Sequence, residues 1–288
     1  MNSPIFPIVG YTLLAVLHGV GIVLLYKAKR DLPNQRVITL NLAVAEFLFC
    51  VSRAILYILV LIGLQKILPY VILNFPSFIF FLAIRFAIFH IIVDRFLNIW
   101  LNIKYPILIN TKSLIKAIIC QWILSSFLSA VLGSAMMLQA ISSKILKFTR
   151  LAIDIIIVVA AGLTFVYLFM RVKNVVYGQT TVQRQQNRSR PSRPSRRIWL
   201  NLKIPILMVS TYMIFNTSSS VLWFYLYNIE NPKFNPIPTY YTSPLVLDLC
   251  GWCSDGIIYI FLQKRVRHLL VSSFRKIRKD QVGDVRMK

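Results

Sequence analysis

Seven stretches of this chain are long and apolar enough to cross a lipid bilayer, and little polar sequence lies between them to fold into anything else. They run over approximately residues 5–26, 37–63, 67–101, 114–139, 150–171, 199–227 and 241–262. A helix needs about 20 predominantly apolar residues to traverse the hydrocarbon core, because in lipid its backbone must satisfy its own hydrogen bonds. Composition agrees. Hydrophobic residues make up 57% of the chain and charged residues 15%, against roughly 45–50% and 25% in soluble domains, and mean hydropathy is +0.66. The expected fold is an all-α membrane protein, a seven-transmembrane helix bundle over residues 1–263, with a short amphipathic helix and tail over 264–288.

The formal net charge of +24 raises nucleic acid as a partner, but no basic soluble face remains to bind it. The cations fall instead in alternate connections. Lys27, Lys29, Arg30 and Arg36 join the first two segments, and Lys104, Lys112 and Lys116 join the third and fourth. The longest and most basic connection runs from Arg171 to Arg197, and more cations follow the seventh segment from Lys264 onward. The opposite connections hold only Lys66, Lys144, Lys147, Arg150 and Lys233, partly at helix ends. The positive-inside rule then places the N-terminus outside and the C-terminus in the cytosol, with the plasma membrane as the expected location. No cleavable signal peptide is expected, since the start lacks a charged n-region and a small-residue cleavage site.

Within the third inner connection, residues 179–197 include Arg188-Ser189-Arg190-Pro191-Ser192-Arg193-Pro194-Ser195-Arg196, in which proline and like charge both oppose a packed fold. Ser189, Ser192 and Ser195 either belong to a plain solvated linker or meet basic-directed kinases, whose phosphate would offset the positive charge near anionic lipid. After Gln263, Val266, Leu269, Leu270, Phe274 and Ile277 recur at helical spacing among basic residues, the pattern of a helix lying on membrane lipid. Cys50, Cys120, Cys250 and Cys253 all lie inside apolar segments, so Cys250-Gly251-Trp252-Cys253 is expected to pack rather than to do redox or metal chemistry. The sequence shows no nucleophile–base pair, metal cluster or phosphate loop, and an enzyme with a cofactor is not expected.

Several short motifs then fall in one order along the segments. The third ends in Asp94-Arg95-Phe96, the second contains Asn41-Leu42-Ala43-Val44-Ala45-Glu46, the fourth holds Trp122, and the seventh ends Asp255-Gly256-Ile257-Ile258-Tyr259. Together these resemble the rhodopsin-like (class A) G-protein-coupled receptors over nearly the whole chain, with the amphipathic stretch where the family's eighth helix lies. The departures are equally specific. Glu46 stands for an aspartate and Gly256 for a proline, His18 takes the place of the segment-one asparagine, and Tyr70 falls near the outer cysteine. The Cys-Trp-x-Pro of segment six is replaced by Tyr212-Met213-Ile214-Phe215-Asn216-Thr217-Ser218, and segment five has no proline.

The resemblance implies a receptor that binds an unknown small, lipid-like or peptide ligand from outside or from the bilayer and activates a heterotrimeric G protein. It implies that Asp94 holds Arg95 in the inactive state and that Arg95 swings toward Tyr167 and Tyr259 on activation, a two-state element suited to a delocalised guanidinium. The segment-six start, Arg196 to Lys203, lacks the acidic group many members place there, so a weak inactive lock is expected.

Charges within spans should be paired or line a wet cavity. Glu46, Arg85, Asp154 and Asp255 form the expected central polar cluster, either with Arg85 pairing Glu46, Asp255 or Asp154, or with sodium at Glu46 and Asp255 as the resemblance suggests. Arg53 and Asp248 either brace segments two and seven as a mutual pair or meet a charged ligand. Ser77 stands where aminergic receptors carry their aspartate and Leu249 at or near the retinal lysine's place, so neither a monoamine nor retinal is expected. Phe75, Phe78, Trp223 and Tyr240 supply apolar pocket walls, or simply pack. Two rivals stand beside the receptor: a transporter or channel using the intramembrane charges, and a degenerate receptor acting as a non-signalling membrane partner.

Overall fold

The apolar stretches fold as helices. The structure, a computed structural model, describes residues 5–27, 33–64, 70–101, 105–137, 148–167, 170, 206–229, 242–258 and 271–272. The helices are α1 (Ile5–Lys27), α2 (Pro33–Leu61), α3 (Tyr70–Leu101), α4 (Thr111–Met137), α5 (Phe148–Tyr167), α6 (206–229) and α7 (Thr242–Ile257), with one extra turn, Tyr105–Leu108, between α3 and α4. Five of them, α1 to α5, are long and apolar enough to cross a membrane. Helix α6 carries a shorter apolar stretch, Ile206–Leu222, and α7 has 16 residues. No strand occurs among the described residues.

Local chemistry sets several helix ends. Pro33 opens α2, where its missing N–H and fixed φ cost nothing. Gly63, at φ 80°, follows the end of α2 and donates to the Val60 carbonyl at 3.0 Å, a left-handed stop that glycine adopts freely. The Asn110 side chain accepts from the Ser113 N–H at 2.8 Å and caps the start of α4.

Large apolar side chains face both ways, which marks helices built for lipid. Helix α1 buries Tyr11, Leu14, His18, Gly21 and Leu25 at spacings of three and four, yet Leu13, Val16, Val20 and Val23 stand exposed on its other faces. Phe127 on α4 and Leu163 on α5 are exposed likewise. A soluble protein rarely shows so much contiguous apolar surface, and the protein is membrane-embedded by this measure.

Helix α1 packs on α2 and α7, α2 on α3 and α4, α3 on α4, and α6 on α7. Side chains of α3 also reach α5 and α6, through Arg85 to Asp154 and over Tyr212, which makes α3 the central helix. Ala43 and Ala45 on α2 and Ala83 and Ala87 on α3 are fully buried, so these backbones approach closely. In lipid, close packing and interhelical hydrogen bonds replace the hydrophobic drive. Such bonds join α2, α3 and α4: Trp122 Nε1 donates to Asn41 Oδ1 at 2.8 Å, Asn41 Nδ2 to Gln121 Oε1 at 3.2 Å, and Gln121 Nε2 to the Ala83 carbonyl at 2.8 Å. His90 Nδ1 lies 2.8 Å from the same Gln121 oxygen and is its second donor.

Helix α6 is not uniform. Over Tyr212–Thr217 it widens into a π-helix, a geometry that favours functional sites.

Candidate functional site

Asp94 and Arg95 sit at the last turns of α3 and are both buried. Arg95 Nη2 lies 3.4 Å from Asp94 Oδ2. The other carboxylate oxygen, Oδ1, accepts a hydrogen bond from the Tyr105 hydroxyl, which the extra helical turn after α3 delivers. Burial first, and then the Asp94 carboxylate, push the Tyr105 phenol well above its ordinary pKa, so it stays a donor. The turn is itself anchored to α2, since Asn34 Nδ2 donates to the Ile109 carbonyl at 2.9 Å and Thr111 donates to Asn34 Oδ1 at 2.9 Å. Phe96 packs its ring 5.1 Å from that of Tyr167 on α5 and 6.2 Å from that of Trp100. Tyr259 lies outside the described residues, as do residues 179–197 with Ser189, Ser192 and Ser195, the start of segment six, and most of the amphipathic stretch.

The expected central cluster divides in two. Arg85, on α3, is only 1% exposed and donates through Nε to Asp154 Oδ1 on α5 at 3.2 Å. Asp154 also accepts from the hydroxyls of Tyr212 and Ser220 on α6, so one buried carboxylate gathers three helices. Of the three carboxylates that could have taken Arg85, Asp154 does so. Glu46 and Asp255 instead lie beside each other across α2 and α7, within hydrogen-bonding reach. His18 Nδ1 lies 3.3 Å from Glu46 Oε2, and Thr211 donates to Asp255 Oδ1 at 3.1 Å. These carboxyls and the Thr211 hydroxyl have the oxygen-donor chemistry that a hard cation such as sodium takes.

Nearer the end of the bundle opposite Asp94, Asp248 takes a cation, and that cation is Arg150. Its Nη2 lies 3.2 and 3.5 Å from the two carboxylate oxygens, and its Nε donates to Ser220 at 2.9 Å. Arg150 thus joins Asp248, for which the sequence offered Arg53 as a bracing partner or a charged ligand. Arg53 Nη1 donates to Asn74 Oδ1 at 2.9 Å, joining α2 to α3, and its guanidinium stands 5.3 Å from the Phe49 ring centroid. Arg150, counted by its sequence position with the outer cations at the start of the fifth segment, lies on α5 and faces the bundle. Ser77 is buried and shares a 3.0 Å hydrogen bond with Ser52. Phe78 stacks on Phe81 at 6.2 Å. Phe75 lies beside Gly133 of α4, while Tyr240 and the Trp223 side chain lie outside the described residues.

The stretch that replaces Cys-Trp-x-Pro is the π-helix of α6. It sends Tyr212 to Asp154, while Asn216 Oδ1 accepts from Trp252 Nε1 of α7 at 3.0 Å. Gly251, beside that tryptophan, is tightly enclosed: a Cβ there would meet Phe215 Cβ and the Asn216 amide nitrogen at 3.0 Å, and both would have to give way. Trp252 in turn packs against Phe49, ring centroids 4.0 Å apart. Tyr105, Arg150, Thr211 and Tyr212 are thus functional candidates that sequence reasoning did not single out. The signal for Arg150 and Tyr212 was their polarity within or beside an apolar stretch, and for Tyr105 only its closeness to Asp94 in the chain.

The arrangement can exchange hydrogen bonds and ion pairs among buried groups on different helices. Compared with known families, the chain matches no family model, and no curated protein matches it.

Proposed function

We propose that this protein is a divergent rhodopsin-like receptor, a seven-span bundle of the plasma membrane with its N-terminus outside, that answers a ligand by activating a heterotrimeric G protein. The observation that carries the reading is the Asp94–Arg95 pair, 3.4 Å apart at the end of a central helix and clamped from the far side by Tyr105. A guanidinium held on one carboxylate, next in the chain to Phe96, whose ring meets that of Tyr167, is poised to exchange that carboxylate for other partners. The Trp122–Asn41 bond and the Glu46–Asp255 contact support the same register, since they join residues that the receptor motifs single out. In this reading Asp94 holds Arg95 at rest. Release of Arg95 toward Tyr167 and Tyr259 opens the face that meets the G protein, and the buried ties of Asp154 and Asp248 transmit the ligand's presence to α6 and α7. Sodium, if it binds, is held by Glu46 and Asp255 and supplies a positive charge that opposes their mutual repulsion.

The test is to express the full chain with a panel of G proteins, with Arg95→Ala as control. Signal lost in the variant supports the receptor. Substrate uptake or a ligand-independent current that survives Arg95→Ala supports the transporter or channel, and silence under every condition supports a non-signalling membrane partner.

A further inference from the structure

Arg85 uses one edge of its guanidinium and leaves the other bare. Nε bonds Asp154, but Nη1 and Nη2 are both buried and have no hydrogen-bond acceptor among the described residues. Asp154 cannot turn to serve them, because Tyr212 and Ser220 hold its two oxygens. A buried donor pair without an acceptor is rare in folded proteins and demands an explanation. The demand is strongest for a charged group in a membrane span, where exposure to lipid is excluded and water is scarce.

The surroundings define what would fit. The Arg85 guanidinium carbon lies 3.5 Å from the Phe81 ring centroid, and that of Arg150 lies 4.9 Å from the same centroid. Phe81 sits one helical turn further from Asp94 than Arg85 does, so the two cations and the ring line a path leading down α3. Phe78 extends the aromatic wall one turn further. Around this path the guanidinium groups of Arg85 and Arg150 meet the carboxylates of Asp154 and Asp248. Glu46 and Asp255 belong to the separate cluster shared with His18 and Thr211.

We infer that the Nη1/Nη2 fork of Arg85 is the anion-binding end of a ligand site for small apolar monocarboxylates. The two parallel N–H groups of an arginine fork match the two oxygens of a carboxylate. A monocarboxylate brings a single charge to a fork whose other edge already meets Asp154, whereas a phosphate dianion brings more charge and resists dehydration more strongly. The aromatic rings of Phe81 and Phe78 give the acid's apolar body a wall, and Arg150 stands at the approach, held by Asp248 until the acid passes. No covalent step is involved. The inference deepens the receptor reading and rests on it for the premise that a ligand enters this bundle.

The experiment is a binding measurement on the purified full chain in lipid nanodiscs, by thermal stabilisation and equilibrium titration. The probes are phenylacetate and hexanoate, with phenylacetamide and hexanamide as uncharged controls at matched ionic strength. Saturable stabilisation by the acids and not by the amides is expected. Arg85→Lys keeps a positive charge beside Asp154 but lacks the fork, and it should weaken carboxylate binding by about thirtyfold or more. The pair Arg85→Gln with Asp154→Asn removes both charges together, keeps the fold from carrying an unpaired carboxylate, and should abolish binding. Stabilisation shared equally by the amides, retained in both variants, or absent for every acid overturns the inference. Because the readout is binding, an acid that binds without raising G-protein turnover sinks the receptor reading alone. G-protein turnover in a chain that binds none of the acids sinks this inference alone.

Discussion

Asp94→Asn tests the proposed switch at its narrowest point, because one carboxylate there serves two partners. Oδ2 faces Arg95 at 3.4 Å and Oδ1 accepts from Tyr105. Asparagine keeps an oxygen for Tyr105 but removes the charge that attracts the guanidinium. A hydrogen bond to a charged group nets about 1.5–3 kcal/mol, and strong charge-assisted bonds are shorter, at about 2.7–2.9 Å. The 3.4 Å contact therefore belongs at the low end, about 1.5 kcal/mol. Since 1.4 kcal/mol is tenfold in an equilibrium, the released state should gain about tenfold in population. From a resting share of about 1% it would rise to roughly 10%. The assay is ligand-free nucleotide exchange on co-reconstituted G protein, with receptor amounts matched. Tyr105→Phe is the comparator: it leaves the charge pair in place, removes a neutral donor, and should raise basal exchange less than Asp94→Asn does. Basal exchange in Asp94→Asn equal to that of the parent chain, with exchange still lost in Arg95→Ala, would refute the claim that Asp94 is the restraint.

Other outcomes follow from the buried ties. Asp154→Ala strands Arg85, Tyr212 and Ser220 together and should destabilise by about 3–5 kcal/mol, seen as a lower unfolding temperature; adding Arg85→Met should recover part of it, and no recovery would mean that the pair is not coupled. Trp122→Phe leaves Asn41 Oδ1 without its indole donor and should cost about 1–3 kcal/mol, measured by thermal unfolding in the same detergent. Gly251→Val brings a branched Cβ against Phe215 and Asn216 and should destabilise by about 1–3 kcal/mol, whereas an unchanged melting temperature would show that α6 and α7 can give way. Alkali tests the Tyr105 clamp. Its raised pKa means that the neutral donor's contribution is fully present below the unfolded value of about 10 and is lost as pH rises through the folded value. The melting temperature of the parent should fall more steeply above pH 10 than that of Tyr105→Phe, and parallel curves would count against the clamp.

Hydropathy located the helices well because it senses the same quantity the bilayer does. The third stretch, expected over 67–101, is α3 at Tyr70–Leu101, and the fifth, expected from 150, is α5 from Phe148. Partnerships were less legible. Which of Glu46, Asp255 or Asp154 meets Arg85 depends on the rotation of α3 about its axis, and spacing along one chain does not contain that angle. Arg150 is a similar case: a charge at the start of a segment reads as a boundary cation, yet from the third position of α5 a long side chain turns inward and reaches Asp248 on another helix. Tyr105 lay in a connection that no periodicity describes. The π-helix escaped notice because its residues are ordinary helix and strand formers, with no proline or glycine pair to mark a distortion.

That widened stretch of α6 has a consequence for phase. Met208, Tyr212, Asn216 and Ser220 are all buried and fall at every fourth position. A regular α-helix turns about 100° per residue, so each four-residue step overshoots a full circle by about 40°, and three steps would carry the last side chain about 120° away from the first. A π-helical turn, closed between residues five apart, absorbs that drift and keeps all four side chains on one wall of the bundle. Deleting a single residue between Tyr212 and Thr217 would then let the helix wind regularly: Met208 and Ser220, about 1,100° apart along it, would keep their shared wall, while Tyr212 and Asn216 between them would be drawn out of step with each other. Tyr212 and Asn216 could no longer both reach Asp154 and Trp252. The stretch acts as a vernier between the two halves of α6, and one residue more or less is its smallest division.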